Sequence, residues 1–520
     1  MNRRRFLQHS ALGAALATGH FSAPRLALAA QVSRSSRRLL FVDDADILYS
    51  AGTQRILRPL DRHPSNPVIR AKEKPWEVEI AWNSVYRNPD TGLYQLWYQA
   101  YSGKLSKAKT HRCVVCYAES HDGVNWEKPN LGLHSYNGIQ DTNIVLIGNG
   151  GFSVNYSNSV VFDPQDRNPA RRYKMAYWDF SKDQGREMPG LSVAFSPDGI
   201  RWTKYPSAPL LKAGYSDVGK PVAFADEPGN EWDIPLSFSD AVDALYDPKL
   251  KAFVIYHKMW IDGPDGNANW KHVMGRAESK DFIHWSKPQL VLAPDDLDPP
   301  SVEFHHSPVF YYNDRYFSLL QILNRAENNG IIDVELALSR DGLLWNRPFR
   351  QDFFLPRNTA GAFDSGNLTT NGSPVILDDE IRYYYGGGSG GAISQDIYKV
   401  ESGIGLATMP RDRFASLRPR SEIAQFTTKL LELGRDLQFS VNADASRGAV
   451  LPELLNVDGH RIRGFSKDDA VQITGDSLSH PVRWKGADSH QLPSGRFMLR
   501  LHLVDHANVF AAYLNDSSAG

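Results

Sequence analysis

Three carboxylic acids far apart in the 520-residue chain, Glu77, Asp240 and Glu303, each stand a few residues ahead of a strand-turn signal, beside aromatic or imidazole side chains. Two carboxyl groups facing one bond can divide acid–base chemistry between them. One stays protonated and releases a leaving oxygen, and the other stays ionised and activates water or attacks carbon. Apolar or like-charged surroundings raise one pKa and leave the other low, so such residues need an enclosed, shaped setting. Asp243 is the alternative to Asp240 on its segment, and Asp364 in Phe363-Asp364-Ser365-Gly366 offers a further carboxylate. Glu79, Trp82, Asn155, Asn158, His305, His306 and Asp364 are the accompanying ligand-binding candidates. Each acid also has a plainer reading, a rim carboxylate bonded to backbone amides or paired with Arg.

What must position them is visible as an internal repeat. Tyr117-Ala118-Glu119-Ser120-His121-Asp122-Gly123-Val124-Asn125-Trp126 recurs as Val193-Ala194-Phe195-Ser196-Pro197-Asp198-Gly199-Ile200-Arg201-Trp202. It returns around Ala277, Ser279, Asp281 and Trp285, around Ala337, Ser339, Asp341, Gly342 and Trp345, and in degenerate form at Leu406-Ala407-Thr408-Met409-Pro410. In each unit a strand ends at the Ala, Ser and Asp bond turn amides, Gly permits positive φ, and Trp packs between sheets. These Asp residues are therefore structural. A second turn, such as Asn88-Pro89-Asp90 or Asp247-Pro248, precedes each copy by one hairpin. The unit reads as one four-stranded propeller blade, and five units predict an all-β, five-bladed β-propeller over residues 31–419.

In a propeller the innermost strands converge on the axis, and their leading ends lie some residues before each hairpin turn. Those windows hold Glu77, Glu79 and Trp82 in blade one, and Asn155 and Asn158 in blade two. Blade three contributes Asp240, blade four Glu303 with His305-His306, and blade five Asp364. Adjacent residues on a strand face opposite ways, so one of the two imidazoles is expected to reach the axis, for ligand contact rather than metal binding. Trp76, Trp82, Trp178 and Trp260 are possible stacking platforms as well as packing residues. After Arg420 the blade motif stops and short alternating strands follow, which predicts a small β-sandwich over 420–520.

A formal net charge of −1 gives no field to recruit nucleic acid or an anionic membrane. The only cysteines, Cys113 and Cys116, lie on a predicted strand, where side chains three apart face opposite ways, and read as structural thiols. Arg3-Arg4-Arg5-Phe6-Leu7-Gln8, an Ala-rich stretch and Leu26-Ala27-Leu28-Ala29-Ala30 resemble a twin-arginine signal peptide over 1–30. That implies the Tat export machinery as a partner and a periplasmic or secreted location. No later apolar run is long enough to span a bilayer. Gly386-Gly387-Gly388-Ser389-Gly390-Gly391 joins two strands and opens no helix, so it reads as a loop, not a phosphate cradle.

Phe41-Val42-Asp43-Asp44, Glu127-Lys128-Pro129-Asn130-Leu131-Gly132-Leu133, Asp364-Ser365-Gly366 and the run from Gly475 to Gly486 resemble secreted proteins of the glycoside hydrolase family 32 type. The whole plan is similar to families 32 and 43. The family-32 motif Trp-Met-Asn-Asp-Pro-Asn-Gly is absent, the strand reading Trp76 to Tyr86 instead, and Phe162-Asp163-Pro164 lacks the Arg of Arg-Asp-Pro. Sucrose and fructan are therefore not supported. The resemblance implies hydrolysis of a glycosidic bond in an oligo- or polysaccharide, with a carbohydrate as partner. Asp240 or Glu303 is then expected as acid, Glu77 as base or nucleophile, and Asp364 as sugar ligand or third carboxylate. Two other classes fit the same residues: a carbohydrate-binding propeller without catalysis, and a lyase using His305 or His306 with Tyr311. No cofactor is implied, save a family-43-like structural calcium on the axis.

Overall fold

A computed structural model describes residues 37–150, 156–183, 186–211, 215–216, 220–221, 237–265, 270–393, 396–433, 437–486 and 495–516. The expected signal peptide lies outside the described residues. Among the described residues there is no α-helix, and every strand pairing is antiparallel.

Five sheets form the blades. Blade one comprises Glu79–Arg87, Tyr94–Tyr101, Cys113–Ser120 and Ile144–Ile147, and blade two Tyr156–Phe162, Tyr173–Asp183, Arg186–Ser196 and Thr203–Lys204. Blade three comprises Ser237–Asp247, Ala252–Ile261, Lys271–Ser279 and Gln289–Leu292. In blade four, Val302–His306 and Val309–Tyr312 together form the inner strand, followed by Arg315–Asn324, Ile331–Ser339 and Trp345–Asn346. Blade five has a broken inner strand, Asn367–Thr369 and Val375–Ile376, then Glu380–Gly388 and Ser402–Pro410. Its outermost strand is supplied from upstream of blade one by Asp61–Arg62 and Ile69–Arg70, which closes the ring.

The repeated turn works as its residue types require. Ser120 Oγ accepts the Gly123 amide at 2.9 Å, and Asp122 Oδ1 accepts the amides of Val124 and Asn125 at 2.8 Å each. Gly123, Gly199 and Gly342 take φ of 75°, 77° and 73°. In the third copy Phe282 holds the same position at φ 67°, an arrangement strained for an L side chain. The turns also lock the blades together. Trp97 Nε1 of blade one donates to Gly199 O of blade two at 2.6 Å, Tyr256 OH to Gly342 O at 3.0 Å, and Tyr384 OH to Gly123 O at 2.7 Å. The repeat Trp residues pack across the same seams, Trp126 on Tyr384 and Trp345 on Tyr256.

Around the axis the inner strands are stitched by serine hydroxyls that bond the neighbouring backbone. Ser84 Oγ accepts Val160 N at 3.0 Å, Ser157 Oγ accepts Val242 N at 2.8 Å, and Ser159 Oγ accepts Ala244 N at 2.9 Å. Asp243 joins four blades at this level. Its Oδ1 takes the Ser159 hydroxyl at 2.9 Å, and its other oxygen faces the Val309 and Gly372 amides without closing a hydrogen bond to either. Burial lifts this carboxyl to about 7, only partly offset by those donors. The side-chain oxygens that meet there are those of Asp243 and Ser159, short of the six to eight oxygen ligands that calcium takes.

Beside the blades is one ten-stranded sheet with a core of its own, in which Phe426, Val441, Leu499, Leu501 and Leu514 are buried. It includes Ala415–Pro419, Ile423–Thr428, Leu437–Leu455, Gly495–Asp505 and Asn508–Asp516. It also takes Arg37–Leu40, Ile47–Ala51 and Thr53–Leu57 from the other end of the chain. The expected division at 419/420 therefore misses one strand before it and the segment from Arg37 to Leu57. Those pairings span hundreds of residues, and no local pattern records them. Cys113 and Cys116 are both buried thiols outside any disulfide, and Cys113 Sγ accepts from Gln99 Nε2 at 2.7 Å.

Candidate functional site

The inner strands of blades one to four each break register near their leading ends. The irregularities fall between Ala81 and Asn83, Tyr156 and Ser159, Phe238 and Val242, and Phe304 and His306. A bulge inserts an unpaired residue and re-aims its side chain. Here the residues within these breaks include Trp82 (φ 20°), Ser157 (φ 47°), Asp240 and His305. The alternation rule fails at the fourth break. Both His305 and His306 border the Trp82 ring, His305 stacked at 5.7 Å and His306 edge-on at 5.3 Å, where strict alternation would have separated them.

Asp240 is at the centre of this cluster. Its side chain is 39% exposed, and it pairs with the Lys258 ammonium, which is buried. Burial would raise the Asp240 carboxyl, but Lys258, His305 and His272 hold it well below the usual carboxylate range. It is therefore ionised, and it is reachable from solvent. His305 donates from Nδ1 to Gln321 Oε1 at 3.0 Å, and the Gln321 amide is oriented by its own donation to Thr370 Oγ1 at 3.3 Å. Burial and Lys258 keep His305 neutral, at about 3.

The wall continues through blades three and four. The His272 ring lies 6.5 Å from His305 and 3.6 Å from Trp260, centroid to centroid. Behind it Glu303, 5% exposed, accepts from His272 Nδ1 at 2.6 Å, from the His272 amide at 3.1 Å, and from Arg325. Burial raises the Glu303 carboxyl, but His272 and Arg325 outweigh it and bring it to about 2. Trp82, Asp240, His305, His272 and Trp260 thus make a wall of aromatic rings and imidazoles with one accessible anion.

Glu79, the first residue of blade one's inner strand, is half-buried, and burial alone lifts it to about 7. It shares with Asp243 a carboxyl lifted to about 7 with no cation beside it, and of the two it is the less buried.

Other expected residues lie elsewhere. Glu77 precedes the strand, in a tight turn in which its amide bonds Lys74 O at 2.9 Å, so strand alternation does not apply to it. It is fully enclosed, taking the Tyr98 hydroxyl at 2.5 Å and Lys128 Nζ at 2.7 Å. Asp364 is likewise in a turn before its strand, and is held by Arg62 Nε at 2.7 Å and Tyr385 OH at 2.8 Å. Asn158 is buried in the seam between blades one and two. Asn155 lies outside the described residues. Lys258, His272 and Arg325 were missed. Lys258 beside His257 in the mostly apolar strand Ala252–Ile261, and His272 at the start of Lys271–Ser279, were the available signal.

No family model matches the chain. One curated protein is similar, an A type blood N-acetyl-alpha-D-galactosamine deacetylase of Flavonifractor plautii, 31% identical over 78 residues. That stretch is 14% of this chain and only 10% of the length of the relative. Among solved structures, a glycoside hydrolase is similar at a TM-score of 0.47 and 14% identity, over 68% of this chain and 92% of that one. An N-acetylgalactosamine deacetylase from F. plautii, in complex with blood group B trisaccharide, has a TM-score of 0.43 at 16% identity, over 69% and 96%. A family 43 arabinoxylan arabinofuranohydrolase from Bacillus subtilis has 0.38 at 11%, over 88% and 99%. These neighbours are carbohydrate-acting proteins. At these scores and identities no activity for this chain follows from them.

Proposed function

We propose that the protein hydrolyses a glycosidic bond in an oligo- or polysaccharide at the wall formed by Trp82, Asp240, His305, His272 and Trp260. The observation that carries this reading is the contrast between two carboxyl groups. Asp240 is accessible and ionised beside Lys258, while Glu79 is lifted to about 7 by burial. Groups whose environments push their pKa values apart are suited to the base and acid of one reaction. Asp240 is the base or nucleophile and Glu79 the proton donor. In this reading Glu303 gives up the acid role because cationic and N–H donors already occupy its oxygens, and Glu77 gives up the role of base or nucleophile because it is enclosed. Trp260, partly exposed, supplies a ring of the kind on which sugar rings stack. Export by the Tat pathway, to the periplasm or beyond, accords with the amino-terminal sequence.

The test is a glycan panel incubated with the mature protein and read by mass. Fragments whose masses sum to the substrate plus one water support the reading. An unsaturated product would make the protein a lyase, loss of an acyl group alone would make it a deacylase, and binding without change would make it a lectin-like propeller.

A further inference from the structure

The surroundings of Glu303 fix the proton on its neighbour. A carboxylate beside a guanidinium is ionised and can only accept hydrogen bonds. His272 Nδ1 lies 2.6 Å from Glu303 Oε2, so that nitrogen carries the hydrogen. Arg325 Nη2 also approaches Nδ1, at 3.5 Å, but it is a donor, and it is 3.3 Å from Glu303 Oε2, its proper acceptor. It is a neighbour of the ring rather than a partner. A neutral imidazole has one N–H, so a ring protonated on Nδ1 presents Nε2 as a lone pair. The charged and titratable groups around the ring are Glu303, Arg325, Lys258, Asp240 and His305. Burial first, then Lys258, outweigh the two carboxylates and keep the imidazole neutral above about 4.

We infer that Glu303 and His272 form one unit, in which Glu303 is a positioning residue and His272 Nε2 is the acceptor for an O–H group of the bound sugar. This rests on the carbohydrate reading of the wall. Lys258 can only donate and is engaged with Asp240, and His305, whose Nδ1–H goes to Gln321, also presents an Nε2 lone pair; His272 differs in that an ionised carboxylate fixes its tautomer. An O–H placed against this wall meets a fixed acceptor. A ligand whose oxygen at that position is methylated cannot donate to it and leaves a lone pair unsatisfied. Sites built to bond a hydroxyl reject analogues lacking it far more strongly than apolar pockets reject a missing methylene.

The tautomer is measured on the mature, ligand-free protein with ¹⁵N-labelled histidine, by long-range ¹H–¹⁵N correlation. The expected pattern for His272 is Nδ1–H with a pyridine-like Nε2, converting to a tautomer mixture in Glu303→Gln. A purely structural ion pair would leave the tautomer unchanged in that variant, and an Nε2–H ring in the wild type would overturn the inference outright. On a confirmed substrate, His272→Gln is expected to lower kcat/KM by about 10–100-fold, with the penalty vanishing on the analogue O-methylated at the contacted hydroxyl. An equal penalty on both ligands would also overturn it. The tautomer needs no substrate, so absence of turnover on every glycan counts against the glycosidase reading alone. An Nε2–H ring in an active enzyme counts against the Glu303–His272 unit alone.

Discussion

Replacing Asp243 by Asn should abolish a pH dependence of stability that the propeller axis builds in. The carboxyl is 3% exposed, takes one hydroxyl from Ser159 and has no cation beside it. Its pKa therefore rises from 3.8 to about 7 in the folded protein. A carboxyl raised on folding contributes stability that is fully present below the unfolded pKa and is lost as pH rises through the folded one. A shift of this size corresponds to about 4 kcal/mol over the whole window, of which roughly 3.5 kcal/mol falls between pH 4 and pH 8. Asn keeps the shape and the acceptor for Ser159 but cannot ionise. Its baseline cost is the same at every pH, so the informative quantity is the difference between variant and wild type as a function of pH. Urea unfolding of both proteins at pH 4, 6 and 8 should show Asp243→Asn gaining about 3–4 kcal/mol relative to wild type across that range. A constant difference would refute the reasoning. It would mean that Asp243 is solvated or finds a cation that the axis does not show.

Two further outcomes separate scaffold from site. Glu77→Gln should destabilise the protein toward the lower end of the ~3–5 kcal/mol typical of a broken buried ion pair, because Lys128 keeps Glu73 as a partner at 2.8 Å. Turnover per folded molecule should be unchanged, as checked by urea melts beside initial rates. Gly199→Ala should cost about 2–4 kcal/mol, since φ is +77° and the new Cβ would lie 2.6 Å from the Trp97 ring. Calorimetry would register the loss, and a change within 0.5 kcal/mol would contradict the seam described between blades one and two.

The blades were legible because each carries its own turn chemistry. Ser120, Asp122, Gly123 and Trp126 form a local unit whose hydrogen bonds close within a few residues, and local units repeat visibly. The closure of blade five by Asp61–Arg62 and Ile69–Arg70 was not legible, because two-residue strands have no period and their partners lie more than 330 positions away. The same holds for Arg37–Leu57 in the second sheet. Counting back from the hairpin turns leads to Asp240, Trp82 and His305, which the structure brings to one wall. Glu77 and Asp364 were misplaced by the same count, because each falls in a turn just ahead of its strand. Bulges were the other source of error: one extra residue between Phe304 and His306 brings both imidazoles to Trp82. Lys258 and His272 come from second and third strands, which an inner-strand search does not reach.

The central claim is that an ionised Asp240 and a protonated Glu79 act on one glycosidic bond. The most direct test is the turnover of Asp240→Asn and Glu79→Gln on the glycan that the wild type cleaves, with folding verified by unfolding curves. Each amide keeps the side-chain shape and loses the acid–base function, so both variants should fall by about 10²–10⁴-fold in kcat, the usual worth of such assistance. Wild-type turnover in either folded variant would contradict the assignment of that residue, and wild-type turnover in both would place the chemistry elsewhere on the propeller.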